Sequence, residues 1–216
     1  MISLSADLVL SAYVNGVFPM SDARDDPDIF WVDPDMRGIF PLDKFHVSRS
    51  LAKTIRKKPF EVTIDQDFRT VMRECAASSE GRDNTWINET ILDLYGELHD
   101  RGHAHSIECR QDGKLVGGLY GVSFASVFCG ESMFSRVKDA SKVALVHLVA
   151  RLIHGGYTLL DTQFLTPHLA SLGAIEVSRE AYHTLLDEGL KAQGDFYSLS
   201  LGGTGTEILQ SITQTS

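Results

Sequence analysis

Apolar residues recur at helical spacing near the start of the chain. Leu8, Val9 and Tyr13 share one face of a helix predicted over residues 5–16, with Ser5 as N-cap and Gly16 as stop. The acidic stretch Ser21–Pro34 carries two prolines and reads as an irregular loop. Residues 48–58 form a short basic helix that ends before Pro59. Phe60–Ile64 alternates like a strand, and helices follow over Asp67–Ala77 and Asn88–Arg101. The pattern then switches to strands at His105–Arg110 and Leu115–Phe124, joined by a hairpin at Gln111–Lys114 that contains Asp112 and Gly113. Ser126–Gly130 makes a third strand. Asp139–His154 is a long helix with Val143, Leu145, Val146, Leu148, Val149 and Leu152 mostly on one side. A buried strand at Tyr157–Thr162 and short helices at Thr166–Leu172 and Ser178–Leu190 complete the ordered part. Gly202–Ser216 reads as a loose tail, and no internal repeat is present.

These elements make a mixed α/β (α+β) chain in which an antiparallel meander runs into a helix and one more strand. That order resembles the core of GNAT-type acyltransferases, although fold alone does not give function. The 216 residues are 43% hydrophobic and 23% charged, which excludes fibrous and wholly disordered classes. No run reaches the roughly 18 apolar residues of a membrane span. The N-terminus lacks a basic n-region and carries Asp7 in its apolar run, unlike a signal peptide. Cys75, Cys109 and Cys129 are an odd count without a CxxC, so a reducing cytoplasm is expected.

The net charge of −9 argues against a general nucleic-acid binder, but its distribution is uneven. Arg49, Lys53, Arg56, Lys57 and Lys58 put five cations in ten residues with no acid among them. Residues 61–100 then hold ten Asp or Glu against three Arg. A basic patch on an acidic protein suits a small, defined anionic target. Its one-sidedness favours phosphate contact over a merely solvated face.

Two segments carry candidate chemistry. In Phe128–Arg136 (FCGESMFSR), expected between a strand and a helix, Glu131 is a single carboxylate in an apolar setting. It either pairs with Arg136 and caps a turn, or works as a binding or acid–base group. In Leu159–Gln163, alternation puts Asp161 and Gln163 on one face of a strand end. Asp161 is then either an N-cap for the next helix or half of a carboxylate–amide pair lining a cleft. His103 and His105 have metal-ligand spacing without a convincing third ligand, so a structural role is favoured and no metal is expected. Trp86 is either a core anchor or a base-stacking platform.

Taken together, the chain resembles the leucyl/phenylalanyl-tRNA–protein transferase family. The matching stretches include Tyr13–Met20 (YVNGVFPM), Phe30–Pro34 (FWVDP), Phe45–Ser50 (FHVSRS), Thr85–Ile87 (TWI) and Gly102–Glu108 (GHAHSIE). They continue through Leu115–Val122 (LVGGLYGV), FCGESMFSR, Ala140–Ala144 (ASKVA), Leu160–Gln163 (LDTQ) and His168–Ala174 (HLASLGA). They keep family order and cover roughly residues 8 to 190. The resemblance implies transfer of Leu, Phe or Met from aminoacyl-tRNA to the α-amino group of proteins beginning with Arg or Lys, marking them for N-end-rule degradation. It implies a small N-terminal domain over 1–36 and a GNAT-like domain over 37–192, before the loose tail at 193–216. A cytoplasmic monomer without cofactor, metal or membrane partner is expected.

Position by position, the resemblance carries catalytic roles to Asp161, Gln163 and Glu131. Leu119, Met133, Ser135, Leu148, Leu160 and Thr162 map to the aminoacyl side-chain pocket. Tyr13, Met20, Trp86 and Tyr95 map near the terminal adenosine, and Arg49, Lys53, Arg56 and Lys57 to the surface that holds the tRNA body. Met20 stands where many members have Trp, and Leu148 replaces a larger aromatic. On this reading Asp161 polarises Gln163, which orients the attacking amine. The competing readings are an acyl-CoA-dependent GNAT enzyme, a relative with another N-terminal preference, and a non-catalytic tRNA-binding module. The first would want a glycine-rich pyrophosphate loop, and residues 135–141 contain no glycine.

Overall fold

The computed structural model describes residues 4–26, 28–77, 85–200 and 205–213. Helix α1 spans Ala6–Val14, and the Ser5 hydroxyl accepts from the Leu8 N–H as expected. Strands β1 (Phe18–Met20) and β2 (Phe30–Val32) pair antiparallel in a small separate sheet. The second of these falls in the stretch expected to be loop. β3 (Met36–Phe40) follows, in a segment given no element from sequence, and then α2 (Arg49–Lys57), β4 (Glu61–Ile64), α3 (Phe68–Ala76) and α4 (Glu89–Asp100). The meander is β5 (Ala104–Gln111), β6 (Lys114–Phe124) and β7 (Val127–Ser135). After α5 (Ala140–His154) come β8 (Leu159–Gln163), α6 (Pro167–Ala170), β9 (Ile175–Ser178), α7 (Arg179–Gly189) and α8 (Gly205–Thr213).

The main sheet runs β4-β5-β6-β7-β8-β3-β9. All neighbours are antiparallel except β7 and β8, which α5 connects as a parallel crossover. Side-chain alternation sends Ile107, Leu119, Phe128 and Leu160 into a core with α2, α5 and α8. Tyr120, Val122, Cys129 and Leu159 face the opposite core, with α1, α3, α4 and α7. The result is a sheet with helices on both faces, in the GNAT-like order anticipated from sequence.

Three expectations need correction. β7 runs on to Ser135, so FCGESMFSR is a strand rather than a ligand-facing turn. Of the expected loose tail, residues 205–213 are helical; 202–204 and 214–216 lie outside the described residues. Ile208, Leu209 and Ile212 repeat at helical spacing and are buried with α2 and α5 residues. Such burial contributes about 1.5–3 kcal/mol per side chain, which outweighs the polar look of the segment. β3 and β9 escaped notice because both are short, and each takes its register from a neighbour distant in sequence.

Candidate active site

The site is built where the two parallel strands separate. β7 and β8 pair only from Val127/Leu159 to Cys129/Asp161. Beyond that point each strand carries one extra residue. Tyr120 pairs Ser132 while Gly121 pairs Gly130, which leaves Glu131 as the bulged residue of β7. Gly38 pairs Gln163 while Ile39 pairs Asp161, which leaves Thr162 as the bulged residue of β8. Bulges of this kind re-aim side chains and widen a local gap. Gly38 is required there, because a Cβ would lie 2.8 Å from Thr162 Oγ1 and 2.9 Å from the Leu165 nitrogen.

Two cavities meet in this gap. The first, of about 230 Å³, is walled by Phe40, Leu119, Met133, Leu148, Leu160 and Leu169, with Tyr120, Thr166 and His168 also on its lining. The second, of about 200 Å³, is lined by Phe18, Met20, Trp86, Gln163 and Phe164 among others. Glu131, Thr162, Thr166 and Leu169 line both. Five of the six residues mapped to the aminoacyl pocket therefore come together. Ser135 does not; it is exposed, donates to the Val137 carbonyl at 2.8 Å and accepts from the Ser141 N–H.

Asp161 is 0% exposed and neither caps a helix nor lines a cleft. Arg37, 1% exposed, grips it with two bonds, Nε to Oδ1 at 3.0 Å and Nη2 to Oδ2 at 2.7 Å. The Tyr182 hydroxyl donates to Oδ2 at 3.0 Å, and the Gln163 backbone N–H donates to Oδ1 at 2.8 Å. Arg37 also donates to the Gly16 carbonyl and lies between the Phe18 and Tyr182 rings. Burial works against the Arg37 charge, but the bonds to Asp161 and its charge outweigh this and hold the guanidinium above its ordinary range. Asp161 thus pins the backbone of Gln163, whose φ of 57° is left-handed. With that conformation and the bulge at Thr162, simple alternation no longer relates the two side chains.

The carboxyl that touches the Gln163 side chain is Glu131, not Asp161. Gln163 Nε2 donates to Glu131 Oε1 at 3.0 Å, and the Tyr13 hydroxyl donates to the same oxygen at 2.7 Å. Tyr95 reaches Oε2 at 3.5 Å and is hydrogen-bonded to Tyr13. Burial pushes the Glu131 carboxyl up to about 8, against the pull of the Tyr13 hydrogen bond and with the added push of the Asp161 charge. Burial, and then the Glu131 charge, raises Tyr13 and Tyr95 well above the usual phenol range, so both remain hydroxyl donors. Tyr13 and Tyr95 are buried behind Glu131 and line neither cavity, unlike Met20 and Trp86. Glu131 does not pair with Arg136, which binds Glu74 at 2.7 Å. The buried Tyr120 hydroxyl has no hydrogen-bond partner among the described residues.

The other candidates lie elsewhere. His105 Nδ1 donates to Asp65 Oδ2 at 2.7 Å and its ring stacks on Phe196, a structural role. His103 sits 3.3 Å from the Ser123 carbonyl. Arg49, Lys53, Arg56 and Lys57 are exposed on α2, while Leu51 and Ile55 bury its other face. Sequence reasoning missed Arg37. Its one signal is a lone cation in front of the apolar run Gly38–Phe40.

Comparison with known proteins agrees with this architecture. The family model described as leucyl/phenylalanyl-tRNA protein transferase matches residues 39–187, and that family's N-terminal domain model matches residues 3–35. A leucyl/phenylalanyl-tRNA–protein transferase of Rhodopseudomonas palustris (strain TIE-1) is 58% identical, over 98% of this chain and 95% of its own. One of Maricaulis maris (strain MCS10) is also 58% identical, over 98% of each chain. Among solved structures, FemX superposes with a TM-score of 0.55 at 10% identity, covering 83% of this chain and 70% of its own, a likeness of fold alone. Matched over nearly its whole length by relatives more than half identical, the chain is an enzyme that belongs to the leucyl/phenylalanyl-tRNA protein transferase family.

Proposed function

We propose that the protein transfers Leu, Phe or Met from aminoacyl-tRNA to the α-amino group of proteins beginning with Arg or Lys, as a cytoplasmic monomer. The observation that carries this reading is the pair of cavities joined at Glu131 and Thr162. The apolar one suits an aliphatic or aromatic side chain without branching at Cβ. The other offers Trp86 and Met20 as faces for a terminal adenine. The ester between them would lie against Glu131 and Gln163. Residues 1–36 act as a small N-terminal domain that supplies Tyr13, Phe18 and Met20 to a catalytic domain over 37–192.

The donor is an activated ester, so the protein's main task is orientation. An α-amino group with a pKa near 7.7 is neutral for roughly a sixth of the population at pH 7, so a weak acceptor suffices. Glu131 holds Nε2 of Gln163, which leaves the amide oxygen to accept from the incoming amine. Asp161 and Arg37 fix the Gln163 backbone so that this oxygen is presented in one place. Roles for Arg49, Lys53, Arg56 and Lys57 on the tRNA body follow from their exposure on one helix face.

The test is a transfer assay read by mass spectrometry, with Phe-tRNA or Leu-tRNA and two peptides beginning with Arg or Asp. Addition to the Arg peptide alone is expected. Addition to the Asp peptide alone would keep the chemistry and overturn the acceptor assignment. No addition by folded protein would return the acyl-CoA and binding-module readings.

A further inference from the structure

We propose that Lys138 and Lys142 form a phosphate track that guides the single-stranded 3′ end of the donor from the basic helix to the reaction cleft. This rests on the reading that the donor is an aminoacyl-tRNA. Beside α2 lies a surface hollow of about 220 Å³ whose walls include Thr54 and Lys57 on one side and Lys138 on the other. Lys138 is exposed and has no ion pair among the described residues. Lys142, in the first turn of α5, is 3.6 Å from Asp139, which lines the same hollow. Lys142 also stands one helical turn before Leu145, which lines the aminoacyl cavity, and its charge, after burial, holds the His168 imidazole below its ordinary value. His168 lines the aminoacyl cavity together with Thr166 and Leu169, and those two also line the second cavity.

The cations therefore step from α2 through Lys57, Lys138 and Lys142 to the wall shared by both cavities. Lys138 lies in the turn just before α5, and Lys142 in the first turn of that helix. Arg136, on the same segment, is not part of the line because Glu74 occupies it. Nothing in the fold requires a charge at Lys138. A backbone passing this way would meet one free ammonium and one partly neutralised by Asp139, so Lys138 should carry the larger share.

The experiment measures binding and transfer with three donors: Phe-tRNA, a phenylalanylated minihelix without the anticodon arm, and phenylalanyl-adenosine, which has no phosphates to place on the track. With Lys138→Ala/Lys142→Ala, the affinity for Phe-tRNA should fall about tenfold, and the slope of log K against log salt should shrink by about 1.4. The minihelix should show the same loss. Transfer from phenylalanyl-adenosine should stay within twofold, and Lys138→Arg/Lys142→Arg should restore Phe-tRNA binding. An unchanged affinity and salt slope for Phe-tRNA overturns the proposal. So does a loss confined to the full tRNA, which would put the lysines on its body, or an equal loss with phenylalanyl-adenosine, which would put them in the cleft. Absence of transfer by the unaltered protein, with binding intact, would instead overturn the functional reading.

Discussion

Two carboxyl groups on neighbouring strands, Asp161 and Glu131, stand in opposite environments. Asp161 is sealed in the core with a bidentate Arg37, a tyrosine and a backbone N–H on its oxygens. Glu131 sits at the junction of two cavities, held by neutral donors alone, Tyr13, Tyr95 and the Gln163 amide. A buried charge persists only where a counter-charge and hydrogen bonds offset its lost hydration, while a buried acid facing neutral donors tends to keep its proton. The first carboxyl is thus an anchor that shapes the backbone, and the second lines the two cavities in which the proposed reaction puts the substrate. Residue type alone would have ranked them equally.

The sharpest way to break this contrast is to remove the counter-charge. Arg37→Met should cost about 3–5 kcal/mol, measured by denaturant unfolding, because Asp161 would be left charged and unpaired. The double change Arg37→Met/Asp161→Leu should recover much of that stability yet remain inactive, since the Gln163 N–H loses its acceptor. A single-change cost below 1 kcal/mol would mean that Asp161 is not an ionised anchor. Next in size, Gln163→Ala should lower kcat about 100-fold in the transfer assay, with a melting temperature close to that of the unaltered protein. A large fall in melting temperature instead would make Gln163 structural.

Smaller effects probe the substrate side. Leu148→Phe should fill part of the first cavity and shift the Leu:Phe donor ratio toward Leu by about tenfold, read by competition between the two charged tRNAs. A fixed ratio would remove Leu148 from the pocket. The Glu131 environment is read separately by a pH slope. With the Glu131 carboxyl near 8 in the fold against an ordinary 4.5, the native state binds the extra proton, so stability should fall as pH rises from about 4.5 to 8. Glu131→Gln should remove that part of the slope in unfolding curves taken across the range. An unaltered slope would assign it to other groups.

Much of this was legible along the chain. Local alternation and helical spacing identified the meander, α5 and the strand ending in Asp161, Thr162 and Gln163. The apolar residues that wall the first cavity were named, apart from Phe40, Leu145 and Leu169. Ser135 was misplaced because β7 runs through the expected turn, taking its pairing from β6. Tyr13 and Tyr95 sit one layer behind the cavity because their hydroxyls are consumed by Glu131, a contact 118 residues away in the case of Tyr13.

The sequence by itself determined which side chains are present and which elements hold them, because periodicity and capping are encoded within a few residues. Tertiary structure alone decided what each side chain does. The two bulges arise from register between strands, and the Arg37 clamp joins positions 124 residues apart. Whether a carboxyl is an anchor or a working group depends on the donors and charges that close around it, and those arrive only when the sheet is assembled.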